Sequence, residues 1–330
     1  TPPVLAEDLL FGVPADFSKP DGYVYRAIYS DSLIFLLNVY NLGLGLLVVF
    51  YLWKLAGLYT RKTSVSVFFV ISSVYGTFLW NYLRAQSLEI FQVWFFLGFI
   101  YHFILFYRSQ NPDGGGPGTK RACWNHLLVA TVYCGMLALL KPLYVIVFPW
   151  LWIFAAMVAC RKAKCRPKQA VATIRDHWHE YLYFLICPTL AFALLAAAFN
   201  IHQFGSPFEA GYSQMNAASK TPNVRFSYTF LSESFWGYLF HLRHSIFLHY
   251  PPLLFGLLGA VSFHRKHRIE SYLIWILFLS FFLFFASSSI WTGEWCYGPR
   301  YLVFVLPVIS LPFIETTEIL LANLKKTWGW

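Results

Sequence analysis

The residues best suited to chemistry sit at the edges of long apolar runs. The stretch WTGEWCYGPRYLVFVLPVISLPF, starting at Trp291, sets Glu294, Cys296 and Arg300 directly against a segment fit for lipid. NYLRAQSLE does the same with Arg84 and Glu89, and LLALLKPLYV with Lys141. Cations at that level are costly to leave facing lipid, so they tend to line a site. A guanidinium can grip a phosphate by two parallel hydrogen bonds, and Arg84, Lys141 and Arg300 together suit a lipid head-group phosphate. Each residue alone also has a structural explanation. Lys and Arg near helix ends snorkel to head groups, and Trp and Tyr form interfacial belts.

The elements that must position these groups follow from composition. Of 330 residues, 58% are hydrophobic and only 12% charged, against about a quarter charged in a soluble domain. The apolar residues come in runs rather than amphipathic stripes, which predicts an all-α polytopic transmembrane bundle. Nine segments qualify: Leu33–Leu58, Ser64–Trp80, Ile90–Phe106, Cys123–Leu140, Leu143–Met157, Tyr181–Ala198, Ile246–Phe263, Tyr272–Ala286 and Tyr301–Leu321. Lys141-Pro142 links the fourth and fifth as a tight hairpin, because proline ends a helix. Residues 1–31 read as an outer-face loop and 32–330 as a single transmembrane domain. Its long outer loop, 200–250, contains an aromatic interfacial helix (Phe235, Trp236, Tyr238, Leu239, Phe240) continuing into Arg243 and His244.

The net charge of +10 is a matter of orientation. Connections at 54–62, 108–121, 161–175, 265–268 and 325–326 carry 17 of the 25 basic residues, and the two sides sum to +11 and −1. Basic loops face the cytoplasm, so the N-terminus is outside, the C-terminus is cytoplasmic, and nucleic acid binding is not called for. An outside N-terminus with no preceding span leads us to expect a transmembrane helix or signal segment upstream of Thr1. Only Cys296 of the six cysteines falls outside, so no outer intrachain disulfide forms. Cys160 and Cys165 lack the partners of a zinc site, and His241, His244 and His249 are too loosely spaced to hold a metal. NPDGGGPGTKR has the wrong order for a phosphate-binding loop and reads as a linker.

FGSPFEAGY, IFLHYPPLLFGLLG and WTGEWCYGPRYLVFVLPVISLPF together resemble the C-terminal half of bacterial GT-C membrane glycosyltransferases related to protein O-mannosyltransferases and aminoarabinose transferases. YGTFLWNYLRAQSLEIFQ is similar to that family's helix end and outer loop. LLALLKPLYVIVFPWL is similar to its hairpin, with Lys141-Pro142 where Arg-Pro is usual. The likeness covers about residues 21–315. It implies an enzyme of the bacterial cytoplasmic membrane that moves a sugar from a polyprenyl-phosphate donor to a lipid, glycan or protein acceptor on the outer face. No metal or other cofactor is needed. It further implies donor-phosphate contacts from Arg84, Lys141 and Arg300. Glu89 and Glu294 would hold the arginines or touch the sugar, and Glu209, Tyr212 and Tyr297 would line the substrate site. The family's base is an aspartate in the first outer loop. The nearest matches here are Asp8 and Glu7 in LAEDLL, which departs from the usual context. A chain without that base would be a non-catalytic subunit that keeps the fold within a larger membrane complex. A transporter fits less well, since the central parts of the spans hold almost no ionisable groups.

Overall fold

The computed structural model describes residues 31–84, 87–110, 120–162, 175–209, 226–293 and 298–328. Among them the secondary structure is helical, and the one extended pairing is an isolated bridge between Phe226 and Ser288. The helices are α1 Asp31–Ala56, α2 Thr63–Tyr75, α3 Leu79–Arg84, α4 Leu88–Ser109, α5 Lys120–Leu140, α6 Val147–Lys162, α7 Trp178–Tyr181, α8 Cys187–Phe204, α9 Tyr228–Phe240, α10 Ile246–His249, α11 Pro251–Lys266, α12 Arg268–Ala286, α13 Leu306–Ile309 and α14 Phe313–Trp328. A chain this apolar satisfies its backbone within helices because lipid offers no hydrogen-bonding partner.

Among the described residues, six stretches are long and apolar enough to cross a bilayer: Val39–Ala56, Leu88–Ser109, Cys123–Leu140, Trp178–Phe204, Arg268–Ala286 and Leu306–Leu324. This is an integral, multi-pass, all-α bundle. Its inside-out character supports that reading. In α14 the polar Glu315, Thr316 and Thr317 are buried, whereas Ile319, Leu320 and Leu324 face outward. Along α8, Leu190, Leu194, Leu195 and Phe199 are likewise exposed. In water such a surface would drive aggregation; in a bilayer it is the expected outer face.

Several of the remaining expected segments are shorter or interrupted. The second forms only the 13 residues of α2, about 20 Å of helix. The run from Ile246 breaks after His249, because Pro251 and Pro252 start a new helix rather than continue the old one. The last run is divided into a 3-10 turn (Arg300–Leu302), α13 and α14. Pro307 and Pro312 cannot donate to an interior helical ladder. The hairpin at Lys141 forms as expected. Lys141 is extended (φ −149°, ψ 126°), and Pro142 opens a 3-10 turn, Pro142–Ile146, that leads into α6.

The core is built on α4, which is buried on most of its surface and packs on α5 and α1. Phe96, Phe281, Phe304 and Tyr144 form a cluster of edge-to-face and tilted ring contacts at 4.8–6.2 Å. Where α11 meets α14, a Cβ on Gly259 would lie 2.3 Å from the Pro312 carbonyl oxygen. Only glycine permits that approach. Within the α1–α4–α5 contact, polar side chains pair with each other: Tyr51 with Tyr133 at 2.6 Å, and His102 with His126 at 3.1 Å. Paired in this way, they avoid being stranded at membrane depth.

Candidate functional site

Glu89 stands in the first turn of α4 and Arg300 opens the last 3-10 turn, 211 positions apart in sequence. The Arg300 Nε donates to Glu89 Oε1 at 2.5 Å. Glu89 is almost wholly buried, while the Arg300 side chain keeps 34% of its surface exposed. A buried carboxylate requires a partner of this kind, because desolvation of an unpaired charge costs several kcal/mol. Charge-assisted bonds are the stronger and more directional class. Glu89 therefore fixes the guanidinium from the protein side.

The neighbouring elements are keyed to this pair. One turn below Glu89, Gln92 accepts a hydrogen bond from the Tyr144 hydroxyl at 2.6 Å, and both are buried. Tyr144 lies three residues after Lys141, and its ring meets Phe304, four residues after Arg300, edge-on at 4.9 Å. The turn bearing Lys141, the helix bearing Glu89 and the segment bearing Arg300 thus share one buried contact. Lys141 itself is half-buried. Arg84 is exposed at the end of α3, near the start of α4, and makes no ion pair among the described residues. Glu209 is half-buried just past α8, its backbone N–H donating to the Ser206 carbonyl at 3.4 Å. Glu7, Asp8, Tyr212, Glu294 and Tyr297 lie outside the described residues.

The aromatic lip is also ordered by specific contacts. Gly298 adopts φ +71°, and a Cβ there would fall 2.7 Å from the Phe78 ring, so the loop reaches Arg300 by a path open to glycine. The Phe78 backbone N–H donates to the His249 carbonyl at 2.9 Å. Tyr238 donates to the Trp291 carbonyl at 2.8 Å, and its ring meets Trp291 edge-on at 5.3 Å. The interfacial-helix expectation needs a correction here. The helix is Tyr228–Phe240, ending before Arg243 and His244. His241 leaves it in an extended conformation, and His244 turns inward to become buried. Trp236 and Phe240 remain exposed on the helix itself.

A second charged cluster, not singled out by sequence reasoning, occupies the other end of α4. Arg108 grips Glu270 with both arms of its fork, Nε to Oε1 at 2.8 Å and a terminal nitrogen to Oε2 at 3.0 Å. Its remaining terminal nitrogen donates to the Leu58 carbonyl at 2.7 Å, and the Tyr59 ring lies 5.0 Å from the guanidinium carbon. Lys266 reaches the buried Glu315 at 2.6 Å, and Thr60 donates to Glu318 at 2.5 Å. Glu89 and Arg108 are nineteen residues apart on one helix, about 28 Å at 1.5 Å per residue. That is close to the ~30 Å hydrocarbon thickness, so the helix between the two clusters is long enough to span it.

The described residues contain no group of three or more His, Cys, Asp or Glu arranged to hold a metal. Compared with protein-family models, with curated proteins and with solved structures, the chain matches none.

Proposed function

We propose that this chain is a GT-C-type membrane glycosyltransferase. In this reading it transfers a sugar from a polyprenyl-phosphate donor to a lipid, glycan or protein acceptor at the membrane edge marked by Arg300. That edge is the outer face of a nine-span bacterial inner-membrane protein, with the basic Arg108 edge cytoplasmic. The observation that carries the reading is the Arg300–Glu89 pair: a partly exposed guanidinium, aimed by a buried carboxylate, beneath an aromatic lip. Held this way, the cation can receive the phosphate oxygens and stabilise charge on the leaving phosphate without reorganising during the reaction. In this reading Arg84, at the end of α3, and Lys141, in the hairpin turn, supply further positive charge to the phosphate. Asp8 or Glu7, or an aspartate upstream, is the candidate to deprotonate the acceptor hydroxyl.

One observation favours a second reading, a non-catalytic membrane subunit. Glu89 already balances the Arg300 charge, as a purely structural pin would. Incubating the natural full-length protein with a labelled polyprenyl-phosphate sugar in proteoliposomes separates the two. Transfer of label that is lost in Arg300→Ala, with the variant still folded, supports the enzyme. No label transfer from any polyprenyl-phosphate sugar, with a co-purifying membrane partner, supports the subunit.

A further inference from the structure

His102 and His126 pair inside the bundle, in a contact that the glycosyltransferase reading does not use. They stand on α4 and α5, which pack together, and their Nδ1 atoms are 3.1 Å apart. Along α4, His102 lies thirteen residues from Glu89 and six from Arg108, about 20 Å and 9 Å at 1.5 Å per residue. His126 lies six residues from the start of α5, again about 9 Å. The pair therefore belongs to neither charged cluster. Ionisable groups at membrane depth are costly and mark functional sites, because lipid penalises them. Three tyrosines wall this pair. The Tyr133 ring stacks on His102 with centroids 6.0 Å apart, and Tyr101 and Tyr51 meet His102 edge-on at 5.2 and 6.2 Å. The Tyr51 and Tyr133 hydroxyls are bonded to each other at 2.6 Å. Both histidines are half-buried, so the pair is braced without being sealed in.

A hydrogen bond between two neutral imidazoles needs a proton on one Nδ1 and a lone pair on the other. Neutral imidazole is also the commonest metal ligand. At a metal–nitrogen length of ~2.05 Å, two nitrogens on one tetrahedral ion are ~3.3 Å apart, and cis nitrogens on a square-planar ion ~2.9 Å. The observed 3.1 Å falls between these, so a small ring movement opens the bite to either.

We propose that His102 and His126 are the protein ligands of a divalent transition-metal site that clamps α4 to α5. On binding, the donor ring gives up its Nδ1 proton and takes one from solvent on its own Nε2. Both Nδ1 lone pairs then go to the metal, and the pair keeps two ring protons throughout. Among the described residues no third His, Cys, Asp or Glu joins the two. Water fills the remaining positions, and the ion exchanges more readily than from a closed structural site. Imidazole suits copper, nickel and zinc, whereas magnesium and calcium take oxygen ligands, and the affinity order puts copper first. The site holds or fails independently of the glycosyltransferase reading.

The test titrates Cu²⁺ into the natural full-length protein in detergent micelles, for wild type, His102→Gln, His126→Gln and His202→Gln. Glutamine keeps hydrogen-bonding capacity at the pair but is a poor ligand for these ions. His202 is an exposed histidine that controls for surface binding. At one equivalent, the wild-type electron paramagnetic resonance spectrum should show copper with two nitrogen ligands. Either pair variant should weaken that binding at least about tenfold, since even outer-shell changes cost 10–100-fold. His202→Gln should bind as wild type does. Zn²⁺ at about a hundredfold excess over its Kd should raise wild-type melting by about 5 °C, and Mg²⁺ should not. Copper binding that survives in either pair variant overturns the site. So does a wild-type spectrum without two nitrogen ligands, a result that needs no variant to fold.

Discussion

The Glu89–Arg300 pair makes an asymmetric prediction about stability. The two charges differ in burial: the Glu89 side chain is 3% exposed and that of Arg300 34%. In Glu89→Gln the guanidinium keeps its exposed side, and the loss should be about 1–2 kcal/mol, below the usual range for a buried pair. In Arg300→Met the stranded carboxylate has no exposed side. The cost should approach the 3–5 kcal/mol typical of an uncompensated buried charge, unless Glu89 takes up a proton. Removing both charges, as in Glu89→Met with Arg300→Met, should return stability to within about 1 kcal/mol of wild type. At roughly 2 °C per kcal/mol for a chain of this size, the three variants should melt about 2–4, 6–10 and under 2 °C below wild type in one detergent. Thermal unfolding followed by loss of the monodisperse chromatographic peak provides the comparison. Equal losses for the two single variants, or a double variant less stable than either, would refute the burial argument.

Three further outcomes follow from the same contacts. Gly298→Ala forces a Cβ toward Phe78 at a positive φ and should destabilise the lip by about 1–3 kcal/mol; adding Phe78→Ala should relieve the clash but not the backbone strain, and melting of both variants reports the difference. Tyr144→Phe strands the buried Gln92 carbonyl and should cost about 1–3 kcal/mol. The same change with Gln92→Leu should melt close to wild type. Arg108→Lys loses the two-armed grip on Glu270 and should lower thermal stability by a few degrees. It should leave undecaprenyl phosphate binding at the opposite edge unchanged, which a parallel binding titration checks.

What the sequence revealed, and what it hid, both have physical causes. Long apolar runs and the Lys141-Pro142 break are local properties, and the long helices and the hairpin appear where those signals stand. Segment continuity was less legible. Pro251, Pro307 and Pro312 are visible in the sequence, but composition alone does not tell an interrupted apolar run from a continuous one. Arg300 and Glu89 each stood out as charges at the edge of lipid-like segments. Their union, across 211 positions, depends on how α4 and the last segment pack. Arg108 illustrates the opposite failure. Counted among the cations that set orientation, it in fact holds a buried glutamate at the edge of the core. The signal that could have found it is Glu270, an acid in a strongly basic connection next to an apolar run. His244 was assigned to an interfacial helix because its neighbours are aromatic, and its inward turn follows from the end of α9 at Phe240.

The central claim is that Arg300 holds a donor phosphate while a sugar is transferred. The most direct test measures label transfer from a polyprenyl-phosphate sugar by the full-length protein in proteoliposomes, for wild type, Arg300→Lys and Arg300→Ala. Two charge-assisted hydrogen bonds at about 1.5–3 kcal/mol each predict a loss of at least a hundredfold in Arg300→Ala. Arg300→Lys, which keeps the charge but not the fork, should fall between. Unchanged turnover in a folded Arg300→Ala variant would contradict the account.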